Sequence, residues 1–212
     1  AQCVARRKEH VPLQYITGEQ DFMGLVFAVD KNVLVPRQDT EVLVEEVMRD
    51  LHDGMHILDM CTGTGCILLS LLHYSNGCTG LGVDVSGEAL KVARENAARV
   101  IDAEGRDCVT FVQRDLFDGV DTQEKFDMIV SNPPYIKTDV IETLMPEVRD
   151  YEPHLALDGR QDGLFFYRKI IEQAGECLAG GGMLFFEIGF DQGEEVRMLM
   201  ESAGYQEVEI VK

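Results

Sequence analysis

The sequence predicts an α/β fold, a mostly parallel twisted sheet with helices on both faces, and three observations predict it. Short β-branched or aromatic runs bounded by Gly, Asp or Asn alternate with longer runs whose apolar residues recur three and four apart. One of the short runs, 57–60, passes through Cys61-Thr62-Gly63-Thr64-Gly65 into a helix pattern. The next two short runs are closed by aspartates, Asp84 and Asp115. Strands separated by helices run parallel in a sheet covered on both faces, because each helix returns the chain to the same end of the sheet.

In chain order the candidate strands are 57–60, 81–85, 109–113, 126–130, 183–188 and 207–211, which gives six core strands. The helix patterns between them carry Leu43, Val44, Val47, Met48 and Leu51; then Ala89, Leu90, Ala93 and Ala97; then Leu164, Phe165, Ile170, Ile171, Ala174 and Leu178. Asp39 or Thr40 marks the first helix start, and Ser86 with Glu88 marks the second. Residues 1–38 show no clear helix period but contain Gly18, Gly24 and the alternating Leu25, Phe27, Val29. A small lead-in with a short β-hairpin is expected there, followed by one domain over 39–212. The chain opens without Met and stops on a strand pattern, as a piece trimmed at both ends would.

At 212 residues, with 45% hydrophobic and 27% charged residues, the chain is sized and balanced for one globular domain with a sizeable core. No apolar run reaches the roughly 18 residues that a membrane helix needs, and residues 1–10 lack the apolar centre of a signal peptide. Thirty-eight acids against nineteen bases give a net charge of -19, with the excess spread along the chain. Nucleic-acid binding ordinarily needs basic side chains to replace phosphate counterions, so no direct nucleic-acid contact is expected and a basic protein partner fits better. Cys3, Cys61, Cys66, Cys78, Cys108 and Cys177 form no CxxC pair and no zinc spacing; reduced thiols, no metal and a cytoplasmic setting are expected. Cys61 and Cys66 are also spaced for a redox pair, but both fall in the glycine turn, where small residues are wanted anyway.

That turn is the first candidate site. Glycines let backbone approach a ligand closely at the carboxyl end of a strand. A dinucleotide fingerprint would put a third Gly or Ala where Leu68 stands, which argues against pyrophosphate binding. Asp84, at the end of the second strand, can accept both hydroxyls of a ribose. Asp115, after the third, can accept from an adenine amine while Leu116 covers the ring. Each acid alone reads as a turn or cap residue; together with the turn they suggest an adenosine without a phosphate tail, and S-adenosylmethionine fits that description.

After the fourth strand comes Asn132-Pro133-Pro134-Tyr135, the sharpest feature of the chain. An amide or exocyclic-amine nitrogen is a poor nucleophile because its lone pair is delocalised. Asn132 can accept one N–H through its side-chain oxygen and Pro133 another through its backbone carbonyl. Two acceptors hold an NH2 group in plane and stabilise the positive charge that develops as a methyl arrives. The two prolines fix φ and have no N–H to satisfy. Tyr135 can pack on the flat acceptor group.

With these motifs the sequence resembles the class I S-adenosylmethionine-dependent methyltransferases, which are Rossmann-like, and within them the protein-(glutamine-N5) methyltransferases of peptide chain release factors. Further segments carry the narrower resemblance: Pro12-Leu13-Gln14-Tyr15-Ile16-Thr17-Gly18, Phe22-Met23-Gly24, Val35-Pro36-Arg37-Gln38-Asp39-Thr40-Glu41 and Tyr151-Glu152-Pro153-His154-Leu155-Ala156-Leu157. The resemblance implies that Cys61, Thr62, Gly63, Thr64 and Gly65 wrap the methionine part of the cofactor, with Asp84 on the ribose and Asp115 and Leu116 flanking the adenine. Asn132, Pro133, Pro134 and Tyr135 would take the glutamine of a Gly-Gly-Gln loop, with Asn132 also beside the cofactor. Cys61 stands where the family usually has Gly, Gln38 where it often has Pro, and Leu116 where some members carry an aromatic. The family's sheet order is 3-2-1-4-5-7-6; its helical N-terminal domain and last antiparallel strand are not represented in these residues, so 1–38 would be the remnant of a linker. A monomer is expected.

Three other readings compete. Methylation of a base amine in DNA or RNA uses the same loop, but lacks a basic face here. A binding module without chemistry would not need Asn132 and its neighbours intact. A nicotinamide oxidoreductase shares only the fold.

Overall fold

A computed structural model describes residues 2–102, 106–121 and 123–211. The chain begins with α1 (Gln2–Lys8), α2 (Leu13–Thr17) and the antiparallel pair β1 (Glu19–Phe22) and β2 (Leu25–Ala28). There follow α3 (Gln38–Asp50), β3 (His56–Met60), α4 (Cys66–His73), β4 (Thr79–Asp84), α5 (Gly87–Val100), β5 (Val109–Gln113) and β6 (Phe126–Ser131). Three short helical turns, α6 (Thr138–Ile141), α7 (Pro146–Arg149) and α8 (His154–Leu157), precede α9 (Phe165–Cys177), β7 (Leu178–Phe186) and α10 (Gly193–Ser202).

The main sheet is parallel throughout, in the order β5-β4-β3-β6-β7. Side chains alternate across it. Ile57, Met128 and Val130 face one layer with Leu43, Val44 and Val47 of α3, Leu68 of α4 and Leu90 of α5. Leu58, Met60 and Ile129 face the other with Ile170, Ala174 and Cys177 of α9. Strand β3 is buried from Ile57 to Met60, as a strand covered on both faces must be. Helix α5 starts where expected: Ser86 Oγ accepts from the Ala89 N–H at 3.2 Å. Chain order runs outward from β3 to β4 and β5, then returns to the opposite flank at β6. Direction therefore reverses between β3 and β6, and a crevice opens beyond the carboxyl ends of these strands.

Two expectations are corrected. Residues 207–211 pair with no strand, so five core strands are present rather than six among the described residues. Glu207 takes a φ of 55°, which turns the chain out of extended conformation. Ile210 then lies over the start of α10, its Cδ1 at 3.2 Å from where a Cβ on Gly193 would stand. Lys212 and Ala1 lie outside the described residues. The lead-in, read as lacking helix period, also contains α1 and α2, short helices with no buried residues that a periodicity of apolar positions cannot reveal.

A buried amide ties the lead-in to the sheet. Asn96 of α5 accepts from the Ala28 N–H at 2.6 Å and donates to the carbonyls of Ala28 at 3.1 Å and Thr64 at 3.0 Å. One side chain thus joins the end of the hairpin to the glycine turn. Leaving those backbone groups unpaired costs about 1–3 kcal/mol each.

Candidate active site

A cavity of about 410 Å³ lies beyond the carboxyl ends of the strands. Its size is that of a small-molecule site. Cys61, Thr62, Gly63, Thr64, Asp84, Asp115, Leu116, Asn132 and Pro134 all line it. Gly65, Pro133 and Tyr135 do not. Gly65, at φ 78°, instead packs the turn against the helices: a Cβ there would stand 3.1 Å from Leu69 Cδ1 and 3.4 Å from the Ala93 Cβ.

The glycine turn is held from below by Asp59 and from the side by Asp84. Asp59 is fully buried on β3 and accepts from the Thr62 hydroxyl at 2.5 Å, while its Oδ1 has no partner. Burial pushes its carboxyl up to about 7, against the opposing hydrogen bond from Thr62. Asp84 accepts the Gly63 N–H on Oδ2 at 2.9 Å and the Ser86 N–H on Oδ1 at 2.8 Å. Burial raises its pKa, opposed by those two bonds. Each oxygen keeps a lone pair free, so the acid can still receive two adjacent hydroxyls. Asp115 lies two residues past β5 and is exposed at the cavity wall; Leu116 beside it has φ 51°. Cys61 has φ 63°, a left-handed conformation that favours glycine. Burial raises its thiol pKa, with the Asp84 and Asp59 charges adding to the effect. That thiol is a neutral wall, not a nucleophile.

On the other flank, Asn132-Pro133-Pro134-Tyr135 follows β6, which aligns with β3 and β7 through Met60↔Ser131 and Ser131↔Phe186. Ser131 Oγ donates to the Met60 carbonyl at 2.6 Å. The loop is braced by residues that sequence reading did not single out. Gln192 is buried; its amide donates to the carbonyls of Tyr135 at 3.1 Å and Gly163 at 3.3 Å, and its oxygen accepts from the Gly189 N–H at 2.9 Å. Gly163 has φ 75° and presses so closely on Tyr135 and Gln192 that a Cβ would collide with both. Tyr135 is half-buried in an apolar cluster with Tyr167, Ile171 and Val196, and its hydroxyl donates to Glu187 Oε1 at 3.2 Å. Asn132 Nδ2 donates to Thr40 Oγ1 at 3.3 Å, and Thr40 lines the cavity from α3.

Arg37 and Glu152 close the wall between the lead-in and the excursion that carries α7 and α8. Arg37 Nη2 stands 2.5 Å from Glu152 Oε1; the Glu152 side chain is 2% exposed and that of Arg37 39%. Burial nevertheless raises the Glu152 carboxyl, outweighing the attraction of Arg37. Both belong to segments whose resemblance was noted, yet no local pattern pairs residues so distant. Leu155, Arg160, Phe165 and Phe166 continue the wall outward. Among the described residues, no group of three or more His, Cys, Asp or Glu is arranged to hold a metal ion, and no helix is long and apolar enough to cross a membrane. All six cysteines are free thiols.

The crevice at the sheet's reversal point, with its glycine turn and strand-end acids, defines an α/β methyltransferase. The Methyltransferase small domain (MTS) family matches residues 36–149. The fold agrees with solved structures of distant sequence. A ribosomal protein L11 methylase from Lactobacillus delbrueckii subsp. bulgaricus superposes with TM-score 0.60 at 19% identity, covering 85% of this chain and 76% of that one. A precorrin-6y C5,15-methyltransferase from Geobacter metallireducens does so with TM-score 0.59 at 14% identity, covering 85% and 77%.

Sequence relatives are much nearer. Release factor glutamine methyltransferases of Caulobacter vibrioides (44% identical, 98% of this chain, 71% of the relative), Clostridium acetobutylicum (42%, 97% and 72%) and Geobacter sulfurreducens (46%, 95% and 69%) align over almost its whole length. The chain belongs to the release factor glutamine methyltransferase family.

Proposed function

We propose that the protein transfers a methyl group from S-adenosylmethionine to the side-chain amide nitrogen (N5) of the glutamine in the Gly-Gly-Gln loop of a peptide chain release factor. The observation that carries this reading is the placement of Asn132 at the wall of the same cavity that Asp84 and the glycine turn line. Family membership supplies the acceptor; the cavity accommodates the donor. Asp84, with one free lone pair on each oxygen, suits the ribose, the 61–65 turn the methionine end, and Asp115 with Leu116 the adenine. When bound, S-adenosylmethionine supplies a methyl on a sulfonium, already electrophilic without help from a base.

The chain's own contribution is orientation and exclusion of water. Asn132 Oδ1, at the cavity wall, accepts one N–H of the acceptor amide, and the carbonyl of Pro133, next in the chain although not itself part of that wall, is assigned the other, which holds the nitrogen toward the donor side. Those acceptors also stabilise charge that grows on nitrogen as the new N–C bond forms; the amide proton then leaves to water. The net charge of -19 favours a basic protein acceptor over a polyphosphate, and a cytoplasmic setting, with which free thiols are compatible, and action as a monomer are part of the proposal.

The test is mass spectrometry of a release factor incubated with the protein and S-adenosylmethionine, beside DNA and ribosomal RNA. One added methyl on the Gly-Gly-Gln glutamine is expected, absent when that glutamine is replaced, and reduced about 100-fold or more in rate by Asn132→Ala. Methyl transfer to nucleic acid alone would overturn the reading.

A further inference from the structure

A carboxylate stands directly behind Asn132 that the reaction as described does not use. Strand register puts it there: Ser131 of β6 pairs with Phe186 of β7, so Asn132 and Glu187 follow side by side, and the Glu187 N–H donates to the Ser131 carbonyl at 3.0 Å. Glu187 Oε1 accepts the Tyr135 hydroxyl and Oε2 is buried with no hydrogen-bond partner; burial raises the pKa of the carboxyl, opposed by the Thr40 hydroxyl, the Tyr135 hydroxyl and the Asn132 amide beside it. Thr40 is 3% exposed and accepts from Asn132 Nδ2, which leaves its own proton free to point at Glu187.

An amide has a donor end and an acceptor end, and these surroundings distinguish them. A carboxylate can only accept, and a threonine hydroxyl has one proton to give. With the Asn132 NH2 turned inward, Thr40 and Glu187 both find donors. With the amide flipped, its oxygen would compete with Glu187 for the single Thr40 proton, and the NH2 would face the cavity, where an acceptor NH2 cannot receive it.

We propose that Glu187 and Thr40 are positioning residues that lock the Asn132 side chain with its NH2 inward and its oxygen toward the acceptor nitrogen, and thereby select an acceptor that donates two N–H bonds. The proposal rests on the reading that Asn132 receives the acceptor amide. Thr40 lines the cavity and Glu187 does not; both act through Asn132.

The experiment is steady-state methylation of a release factor, with kcat and KM resolved, and calorimetric binding of S-adenosylmethionine to each variant. Thr40→Val and Glu187→Gln are each expected to lower kcat about tenfold or more, with KM for the release factor and Kd for the cofactor changed less than about threefold; Thr40→Ser restores kcat. Asn132→Asp sets a second carboxylate against Glu187 and should lose about 100-fold in kcat. Adding Glu187→Gln to it exchanges acid and amide, so the Gln NH2 meets one Asp oxygen while the other faces the acceptor, and about tenfold should return.

Unchanged kcat in both Thr40→Val and Glu187→Gln overturns the lock. So does a double variant no more active than Asn132→Asp alone. A loss shared equally by kcat and cofactor Kd, with Thr40→Ser as poor as Thr40→Val, assigns these residues to the scaffold instead. Full activity in Asn132→Ala would instead remove the underlying site reading, so the two failures are separable.

Discussion

The two halves of the cavity are built differently. The cofactor flank is made of segments supported over shorter separations: Thr62 bonds Asp59 three residues away, Ser86 bonds Asp84 two away, Gly63 bonds Asp84 over 21, and the longest link, from Asn96 to the Thr64 carbonyl, spans 32. The acceptor flank is assembled across the chain. Tyr135 meets Glu187 over 52 residues, Gln192 meets Tyr135 over 57, Asn132 meets Thr40 over 92, and Arg37 meets Glu152 over 115. A turn supported this way is complete once β3, β4 and α5 have packed together. A loop braced from three distant elements has its geometry only when the whole domain has closed. The acceptor flank should therefore be the more fragile half, and its variants should act on turnover where cofactor-flank variants act on cofactor affinity.

The sharpest way to break that division is to remove one support from each flank and measure both constants. Asp84→Ala deletes an acid that receives two backbone N–H groups and faces the proposed ribose position. Charge-assisted hydrogen bonds contribute about 1.5–3 kcal/mol, so cofactor Kd should rise about 10- to 100-fold in a calorimetric titration, while KM for the release factor stays within about threefold. A comparable rise in that KM would mean that the flanks are coupled.

The opposite variant is Gln192→Ala. It leaves the carbonyls of Tyr135 and Gly163 without their amide donor inside a buried pocket. At about 1–3 kcal/mol per orphaned group, unfolding free energy should drop by about 2–3 kcal/mol in a urea titration, and kcat should fall several-fold while cofactor Kd holds. If stability falls and kcat does not, the loop keeps its shape without the brace.

The same division explains what could be read from the sequence. The sheet order through five strands came with the family resemblance, and the residues proposed for the cofactor, all of them but Gly65 at the cavity wall, were legible because a strand end, a glycine turn and an acid are local patterns, and Asp84 and Asp115 needed only the expected strand ends. On the acceptor flank only Asn132 to Tyr135 was legible, since two prolines beside Asn and Tyr are themselves a local signature. Glu187 and Gln192 lie in Glu187-Ile188-Gly189-Phe190-Asp191-Gln192, which reads as a strand end and a turn. Nothing in that segment says that it reaches back to Tyr135. The one signal available was Gly163, whose left-handed φ marks a close approach only after the fold is known. Residues 207–211 misled for the converse reason: their alternation suits a strand, but pairing depends on where the preceding turn sends them.

A third prediction concerns the acid beneath the glycine turn. Asp59 has a folded pKa of about 7, well above that of an exposed carboxyl. Between those two values the folded state binds more protons than the unfolded one, so this group makes unfolding free energy fall as pH rises through about 4 to 7. The ligand-free protein should show a declining melting temperature across that window, and Asp59→Asn should flatten the decline while shifting the curve as a whole. A slope unchanged by Asp59→Asn would assign it to the other acids whose carboxyls burial raises, Asp84 on the same flank or Glu187 and Glu152 on the acceptor flank.

The smallest effect is expected at Cys61, the left-handed residue that opens the glycine turn. Its φ of 63° costs a residue with a Cβ roughly 1–2 kcal/mol relative to glycine. Cys61→Gly relieves that strain, loses a half-buried thiol and adds freedom to the unfolded chain, so the net gain in stability should be at most about 1 kcal/mol, a rise of a few degrees in melting temperature at this chain length. Because the strain sits in a turn with local supports, the gain should appear without the cofactor and leave kcat unchanged. A loss of stability would show instead that the Cys61 side chain, which packs against the cluster of Leu58, Met60 and Val83, is packed well enough to outweigh its backbone conformation. The turn would then be set by side-chain contacts, as the acceptor loop is, and the contrast between the flanks would narrow.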